Sequence, residues 1–274
     1  MKDKKTVFAY IFLIFSSFFT LFPLFFMLTV SFRSTADLIQ NGALSWPKIW
    51  QFSNYTTAWQ EANFSGYFGN SVFISTISIL GVLFFATLIS YGLAYFNFRG
   101  KKLVNSLILL GLIVPMQVII IPLFFNYSAI GLLGTRVPVF ITQIAVNIPF
   151  SVFLLRGFIK DIPYSIVESA RMDGAKEFTV LWRIIVPIII PVLVSLTVLI
   201  FMWTWNDFFT TNILINSDSL KTLPLGLSAF QTAHNTNIPL TSAASTMMMM
   251  PILIVYFIFQ KQMIAGMTLG AVKE

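Results

Sequence analysis

Residues 168–191 read ESARMDGAKEFTVLWRIIVPIIIP, in which six charged side chains give way to a run of isoleucine, valine and proline. Pro163, just upstream, suits a first helical position because its missing N–H is not needed there, and Ser165 with Glu168 forms an S-x-x-E capping box as an alternative start. Gly174 follows Asp173 and supplies a turn where a β-carbon would be costly. Pro187 then falls in the first turn of the apolar run. The stretch predicts a short helix, a break and a second helix entering an apolar phase, forming a compact elbow between two long apolar helices.

The rest of the chain puts that elbow at a membrane. With 57% hydrophobic, 16% aromatic and only 10% charged residues, 274 residues carry too little polar surface to cover a soluble globule. The net charge of +7 is spread in short clusters between apolar runs, which fits membrane topology and not a nucleic-acid surface. There is no cysteine, hence no disulfide, thiolate metal site or cysteine nucleophile. A helix crossing hydrocarbon needs about 20 mainly apolar residues, and six stretches qualify, at about 7–32, 70–95, 103–125, 137–158, 184–209 and 245–264. The first follows Lys2, Lys4 and Lys5, but its apolar run exceeds a signal core of about 7–15 residues, so it reads as a retained helix. The expected fold is an all-α integral membrane protein, residues 1–274 forming a single six-span domain with the elbow at 161–187 between the fourth and fifth spans.

Lysine and arginine set the orientation. With the N-terminus inside, all but Arg33, Lys48, Arg136 and Lys221 of the 17 cationic residues fall on the cytoplasmic side. Both termini and the elbow are therefore expected in the cytoplasm of a cell-membrane protein. The long outer segments, 33–69 and 210–244, hold Trp46, Trp50 and Trp59 in one and Pro224, Pro239 and His234 in the other, and are candidates to meet something outside.

No catalytic apparatus is evident. His234 is the one histidine and reads as a solvated loop residue, so neither a histidine metal cluster nor a Ser/His/Asp set can be assembled. A GxxxxGK[ST] phosphate loop is missing, so any ATP-derived energy has to come from a partner. The chain is read as a non-enzyme with no catalytic residue, metal or cofactor of its own.

Polar residues within spans cost free energy and generally face a bundle interior or a wet cavity. Trp203, Asn206, Asp207 and Thr210 follow i, i+3, i+4, i+7 spacing and share one helical face near the outer leaflet. Such a stripe offers amide and carboxylate groups for sugar hydroxyls and a ring for a sugar C–H face; equally, tryptophans populate the interfacial belt, and Asn206 and Asp207 could cap or bridge helices. Gln143 and Asn147 form an i, i+4 pair on the fourth span, and Gln117 lies between Pro115 and Pro122 on the third. Interhelical hydrogen bonding is the default role of all three. Pro115 and Pro122 could kink the third helix. The run Met247 to Met250 reads as adaptable packing surface. An ion-coupled secondary transporter, the alternative reading, would need an intramembrane ion site, and Asp207 is the single acidic residue placed to offer one.

Spacing separates the elbow from an ordinary polar loop. Glu168, Ser169 and Ala170, Gly174 after three more residues, Ile184 after nine, and then Pro187 resemble the EAA motif of binding-protein-dependent ABC importer permeases, with Ser169 where alanine is usual and Val186 where leucine is usual. FSNYTTAW, GNSVFIST, IVPMQVIIIPLFF, RGFIKDIPYSIVESARMDGA, WTWNDFF, KTLPLGLSAFQT and GMTLGAVKE, in that order, extend the resemblance over nearly the whole chain to carbohydrate-uptake permeases of the maltose type, in their shorter MalG-like form. That resemblance implies a complex with a second, MalF-like permease, two ATP-binding subunits that hold ATP and Mg, and an extracytoplasmic sugar-binding protein, all in membrane lipid and without nucleic acid. It implies coupling to the ATPase through Glu168, Ser169, Ala170, Asp173 and Gly174, with Glu168 facing a basic partner, Ala170 permitting close approach, and Asp173 and Gly174 shaping the turn. It also implies inward sugar transport by alternating access, with part of the substrate site on the second permease.

Overall fold

A computed structural model describes residues 4–61, 63–227, 231–232 and 235–269. His234 lies outside the described residues, as do Lys2, Lys273 and the end of the GMTLGAVKE tail.

In chain order the helices are α1 (Lys4–Ser31), α2 (Thr35–Asn41), α3 (Ser53–Glu61), α4 (Phe64–Tyr95), α5 (Lys101–Gly111), α6 (Met116–Ala129), α7 (Val137–Asp161), α8 (Tyr164–Met172), α9 (Glu177–Val180), α10 (Val186–Trp205), α11 (Phe209–Leu214), α12 (Leu223–Gly226) and α13 (Ile238–Leu269). A π-helical turn, Leu181–Ile185, fuses α9 to α10. Two residue pairs, Gln231–Thr232 and Asn235–Thr236, form a minimal antiparallel ladder, the only strand pairing among the described residues.

Five helical stretches are long and apolar enough to span: residues 6–31, 64–95, 137–161, 177–205 and 238–263. Several extend beyond the ends expected from hydropathy, because a helix continues through polar residues such as Ser65 and Ser242 after the apolar run has ended. The expected third span is different. It is split into α5 and α6, which meet at a bend of 100°. Pro115 is the cause nearest to hand: it has no N–H for the ladder, it drives the preceding Val114 away from helical geometry, and it stands as the extended N-cap of α6 with φ −72° and ψ 138°. Pro122, by contrast, sits inside α6 without breaking it.

The fifth span is also interrupted, though without a bend of that size. Pro187 cannot donate to the carbonyl four residues back, and the turn before it widens so that the Val186 N–H reaches Leu181 O. The far end stops at Trp205, not about Phe209, because Asp207 starts a new helix.

The chain divides into two compact units. In the unit made of Met1–Ser65 and Leu225–Pro251, buried Arg33 organises the segment after α1. The other unit, Gly66–Pro224 with Ile252–Glu274, packs α10 and α5 on α7, α11 on α6 and α7, and α8 on α9. Its main core gathers Val82, Leu155, Ile159, Val167, Val180, Ile185 and Leu196. A second cluster joins Ile74, Ile120, Val139 and Leu214. Within a bilayer such packing draws on close van der Waals fit and interhelical hydrogen bonds. At Gly111 of α5 a β-carbon would stand 2.7 Å from Pro149 Cγ of α7, so glycine is what allows these helices to approach.

Candidate functional site

The charged stretch folds into an elbow. Pro163 is the N-cap of α8 with no side-chain cap, so Ser165 lies within the helix and the Ser165–Glu168 capping box does not form. The helix ends in a Schellman arrangement: Gly174 N–H donates to Arg171 O and Ala175 N–H to Ala170 O, both at 3.0 Å. Gly174 takes the left-handed conformation this requires, φ +80°. The turn is open, with no atom near a β-carbon built at Gly174, so the demand for glycine is one of backbone conformation and not of space.

The two faces of α8 differ. Val167 and Ala170, three residues apart, turn inward and join the core with Ile159, Ile162 and Val180. Ala170 thus packs against the chain's own interior, one helical turn along from Val167. Glu168, Ser169 and Asp173 are exposed, and among the described residues the Glu168 carboxylate has no side-chain partner.

A polar clasp underneath the elbow was not foreseen. Arg171 Nε donates to Glu177 Oε1 at 2.8 Å and Arg171 Nη2 to Glu177 Oε2 at 3.1 Å. Tyr91 of α4 donates to Glu177 Oε2 at 2.6 Å. Arg171 Nη1 also reaches Tyr164 Oη at 3.0 Å, and Tyr95 Oη donates to Ile159 O at 3.1 Å. The Glu177 carboxylate pushes Arg171 even above the usual guanidinium range, so the cation is permanent. The clasp ties α8, α9 and α4 together at the base of the elbow. Arg171 and Glu177 were visible only as loop charges, and no local pattern connects them to Tyr91.

Farther along the same unit, a cavity of about 280 Å³ is lined by Met116, Thr142, Gln143, Val146, Asn147, Trp203, Asp207 and Thr210. Five expected residues meet there: Trp203, Asp207, Thr210, Gln143 and Asn147. Asn147 Nδ2 donates to Gln143 O at 2.7 Å, leaving the Gln143 amide nitrogen without a partner among the described residues. Trp203 packs edge-on against Phe150, 5.1 Å between centroids. Asp207 caps α11, accepting from Thr210 N, Thr211 N and the Thr211 hydroxyl, the last at 2.9 Å. Asn206 does not join them. It is the C-cap of α10, exposed, with its amide donating to Met202 O at 2.8 Å; the expected continuous stripe fails because the helix ends at Trp205. Gln117 is exposed on α6 outside the lining, whereas its neighbour Met116 is part of it. Met116, Thr142 and Val146 were missed, although Thr142, Gln143, Val146 and Asn147 carry the i, i+1, i+4, i+5 signature of one helical face.

The end of α4 away from the elbow has its own lock. Arg136 Nε donates to Asn70 Oδ1 at 2.9 Å, and Asn70 Nδ2 in turn donates to Ser219 O and Lys221 O. Tyr67 donates to Asp218 Oδ2 at 3.0 Å, and Lys221 pairs with Asp218 at 2.7 Å. Lys221 first, then Tyr67, holds the Asp218 carboxyl below its ordinary range. Among the described residues no group of acidic or histidine side chains could hold a metal ion.

Comparison with known proteins bears on all of this. The family described as binding-protein-dependent transport system inner membrane component matches residues 84–268. The chain is 31% identical over 262 residues to the arabinooligosaccharides transport system permease protein AraQ of Halalkalibacterium halodurans, covering 94% of this chain and 93% of that one. It is likewise 31% identical to the diacetylchitobiose uptake system permease protein NgcG of Streptomyces coelicolor, over 90% of this chain and 82% of that protein. A chain in the crystal structure of a bacterial ABC transporter that imports the acidic polysaccharide alginate superposes with TM-score 0.84 at 23% identity, over 95% of this chain and 98% of that chain. Another, from a bacterial alginate ABC transporter in complex with an alginate pentasaccharide-bound periplasmic protein, gives TM-score 0.70 at 18% identity, over 93% of each chain. This polypeptide belongs to the binding-protein-dependent transport system inner membrane component family, as a multi-pass permease of the inner membrane.

Proposed function

We propose that this chain is one of two permease subunits of an ABC importer that carries a sugar or short oligosaccharide inward. The observation that carries the reading is the elbow within a chain of this family: α8 presents Glu168, Ser169 and Asp173 outward while the clasp fixes its base. Both termini and the elbow lie in the cytoplasm on this reading, in keeping with the lysine and arginine distribution. Closure of two partner ATPases around ATP and Mg pushes on the elbow, Glu168 meets a basic side chain of the ATPase, and Gly174 preserves the shape of the tip. Such a charge pair mainly sets register, so its net free energy is small.

The cavity is the sugar path's share on this chain. An indole, the Gln143 amide nitrogen and the Thr210 hydroxyl suit a carbohydrate, and about 280 Å³ is just under the ~300 Å³ floor of ordinary ligand pockets. The second permease completes it. A binding protein delivers sugar from outside, and alternating access follows the ATP cycle. Ion coupling is the weaker reading, because the Asp207 carboxylate is already engaged by three donors of α11.

The test is co-purification of the tagged chain from its native membrane in mild detergent. Recovery of a second permease and an ATPase in near-equal amounts is expected, with ATPase recovery lowered in Gly174→Val, where the left-handed backbone is costly, but retained in Glu168→Gln. A chain recovered alone, even after cross-linking in intact membranes, would reject the importer.

A further inference from the structure

The segment after α1 is built, not loose. Arg33 is fully buried, and its guanidinium spends every N–H: on Asp37 Oδ2 at 2.7 Å, Asp37 O, Gly42 O, Ala43 O and Ser45 Oγ at 2.8 Å. Asn54 closes the other side by donating to Ser31 O and Arg33 O, both at 2.8 Å. The Arg33 ion pair holds the Asp37 carboxyl below its usual range. Those bonds hold residues 33–54 in one shape that directs apolar side chains outward: Leu44 is 76% exposed, Trp46 64% and Ile49 72%. A water-facing loop has no reason to spend so many hydrogen bonds on displaying such groups.

The depth of that display can be read from α1. At 1.5 Å per residue its 28 residues extend about 42 Å, so a hydrocarbon layer of ~30 Å leaves about 6 Å projecting at each end. Phe25 lies six residues, about 9 Å, before the end of α1 and hence about 3 Å inside the hydrocarbon edge. Trp46 packs edge-on against Phe25, 5.7 Å between centroids. The loop therefore folds back along α1 to the depth where tryptophan prefers to sit. Arg33 and Asp37 neutralise each other, leaving Lys48 as the free cation of this segment among the described residues, two positions from Trp46.

We propose that residues 43–52 form a membrane-interface anchor: Leu44, Trp46 and Ile49 enter the headgroup and upper acyl region of the leaflet from which α1 emerges, and Lys48 meets lipid phosphate. The anchor sets the depth and rotation of α1 without spanning anything.

The chain has no cysteine, so once the partner subunits' thiols are blocked or replaced Ile49→Cys carries the nitroxide at a single site, with exposed Gln60→Cys as the reference. The assembled transporter is placed in nanodiscs of phosphatidylcholine and phosphatidylglycerol, and collisions with oxygen are compared with those of a water-soluble nickel chelate. Oxygen is expected to exceed the chelate several-fold at position 49, and the chelate to dominate at position 60. Chelate dominance at position 49 overturns the anchor; if protection then comes on adding sugar-loaded binding protein, the face belongs to that protein. Exclusion of both reagents means a protein subunit covers it, and also overturns the anchor. As a check without a label, lipids brominated near the glycerol end of the chain are expected to quench tryptophan emission, with a smaller quenched fraction in Trp46→Phe. Equal quenching in both proteins counts against the proposal.

Discussion

At the scale of single residues, Gly174 and Glu177 do different work in the same elbow. Gly174 is needed for its left-handed backbone, which costs an ordinary residue roughly 1–2 kcal/mol and asparagine less. Gly174→Val is therefore expected to lower sugar uptake about tenfold and Gly174→Asn much less, a contrast that uptake into proteoliposomes measures directly. Space does not enter, since nothing approaches the position. Glu177 accepts from both Arg171 and Tyr91, and a hydrogen bond to a charged group contributes about 1.5–3 kcal/mol. Tyr91→Phe is expected to speed amide exchange in α8 by about 10-fold to 100-fold while leaving α7 unchanged, as hydrogen exchange with mass spectrometry would record. The first of these residues was legible from its place after Asp173. The second was not, because its partner Tyr91 is 86 positions away and looks in sequence like one more aromatic residue of a span.

At the scale of elements, the break between α5 and α6 tests what a proline does in a membrane helix. Pro115→Ala restores an N–H able to reach the carbonyl of Gly111, so the 100° bend is expected to open. Nitroxide pairs placed on α5 and α6 of this cysteine-free chain would report a lengthened distance by electron double resonance. An unchanged distance would instead give the bend to the packing of α6 on α11. Local chemistry marked Pro115 and Pro122 alike, yet only the former breaks the ladder; the difference comes from tertiary context. A related ambiguity explains the fifth span. Spacing alone put Asn206 with Asp207 on one face, but the caps of α10 and α11 lie between Trp205 and Phe209 and turn Asn206 away.

At the scale of the whole molecule, the membrane class and the family were legible because hydropathy and the EAA spacing are both carried along the chain, whereas the six expected spans stand as five, with α5 and α6 making a sixth only if the bent pair crosses as one. The cavity was half legible: Gln143, Asn147, Trp203, Asp207 and Thr210 are polar or aromatic in apolar surroundings, while Met116 and Val146 give no such contrast. If sugar passes here, Trp203→Ala and Asn147→Ala should each raise the KM for uptake about tenfold, the equivalent of losing one hydrogen bond or ring contact of ~1.4 kcal/mol. Basal ATP hydrolysis of the assembled transporter should stay unchanged, and a fall in both would point to a packing defect.

The clasp also has a consequence in time. During synthesis at about 5–20 residues per second, Tyr91 emerges some 4–17 s before Glu177, the residue that will engage it. Until then the hydroxyl of Tyr91 has no carboxylate to meet, and the elbow has no base to stand on. A chain arrested between the two therefore carries an unfinished joint, which can close only once α8 and Glu177 at the start of α9 have been made.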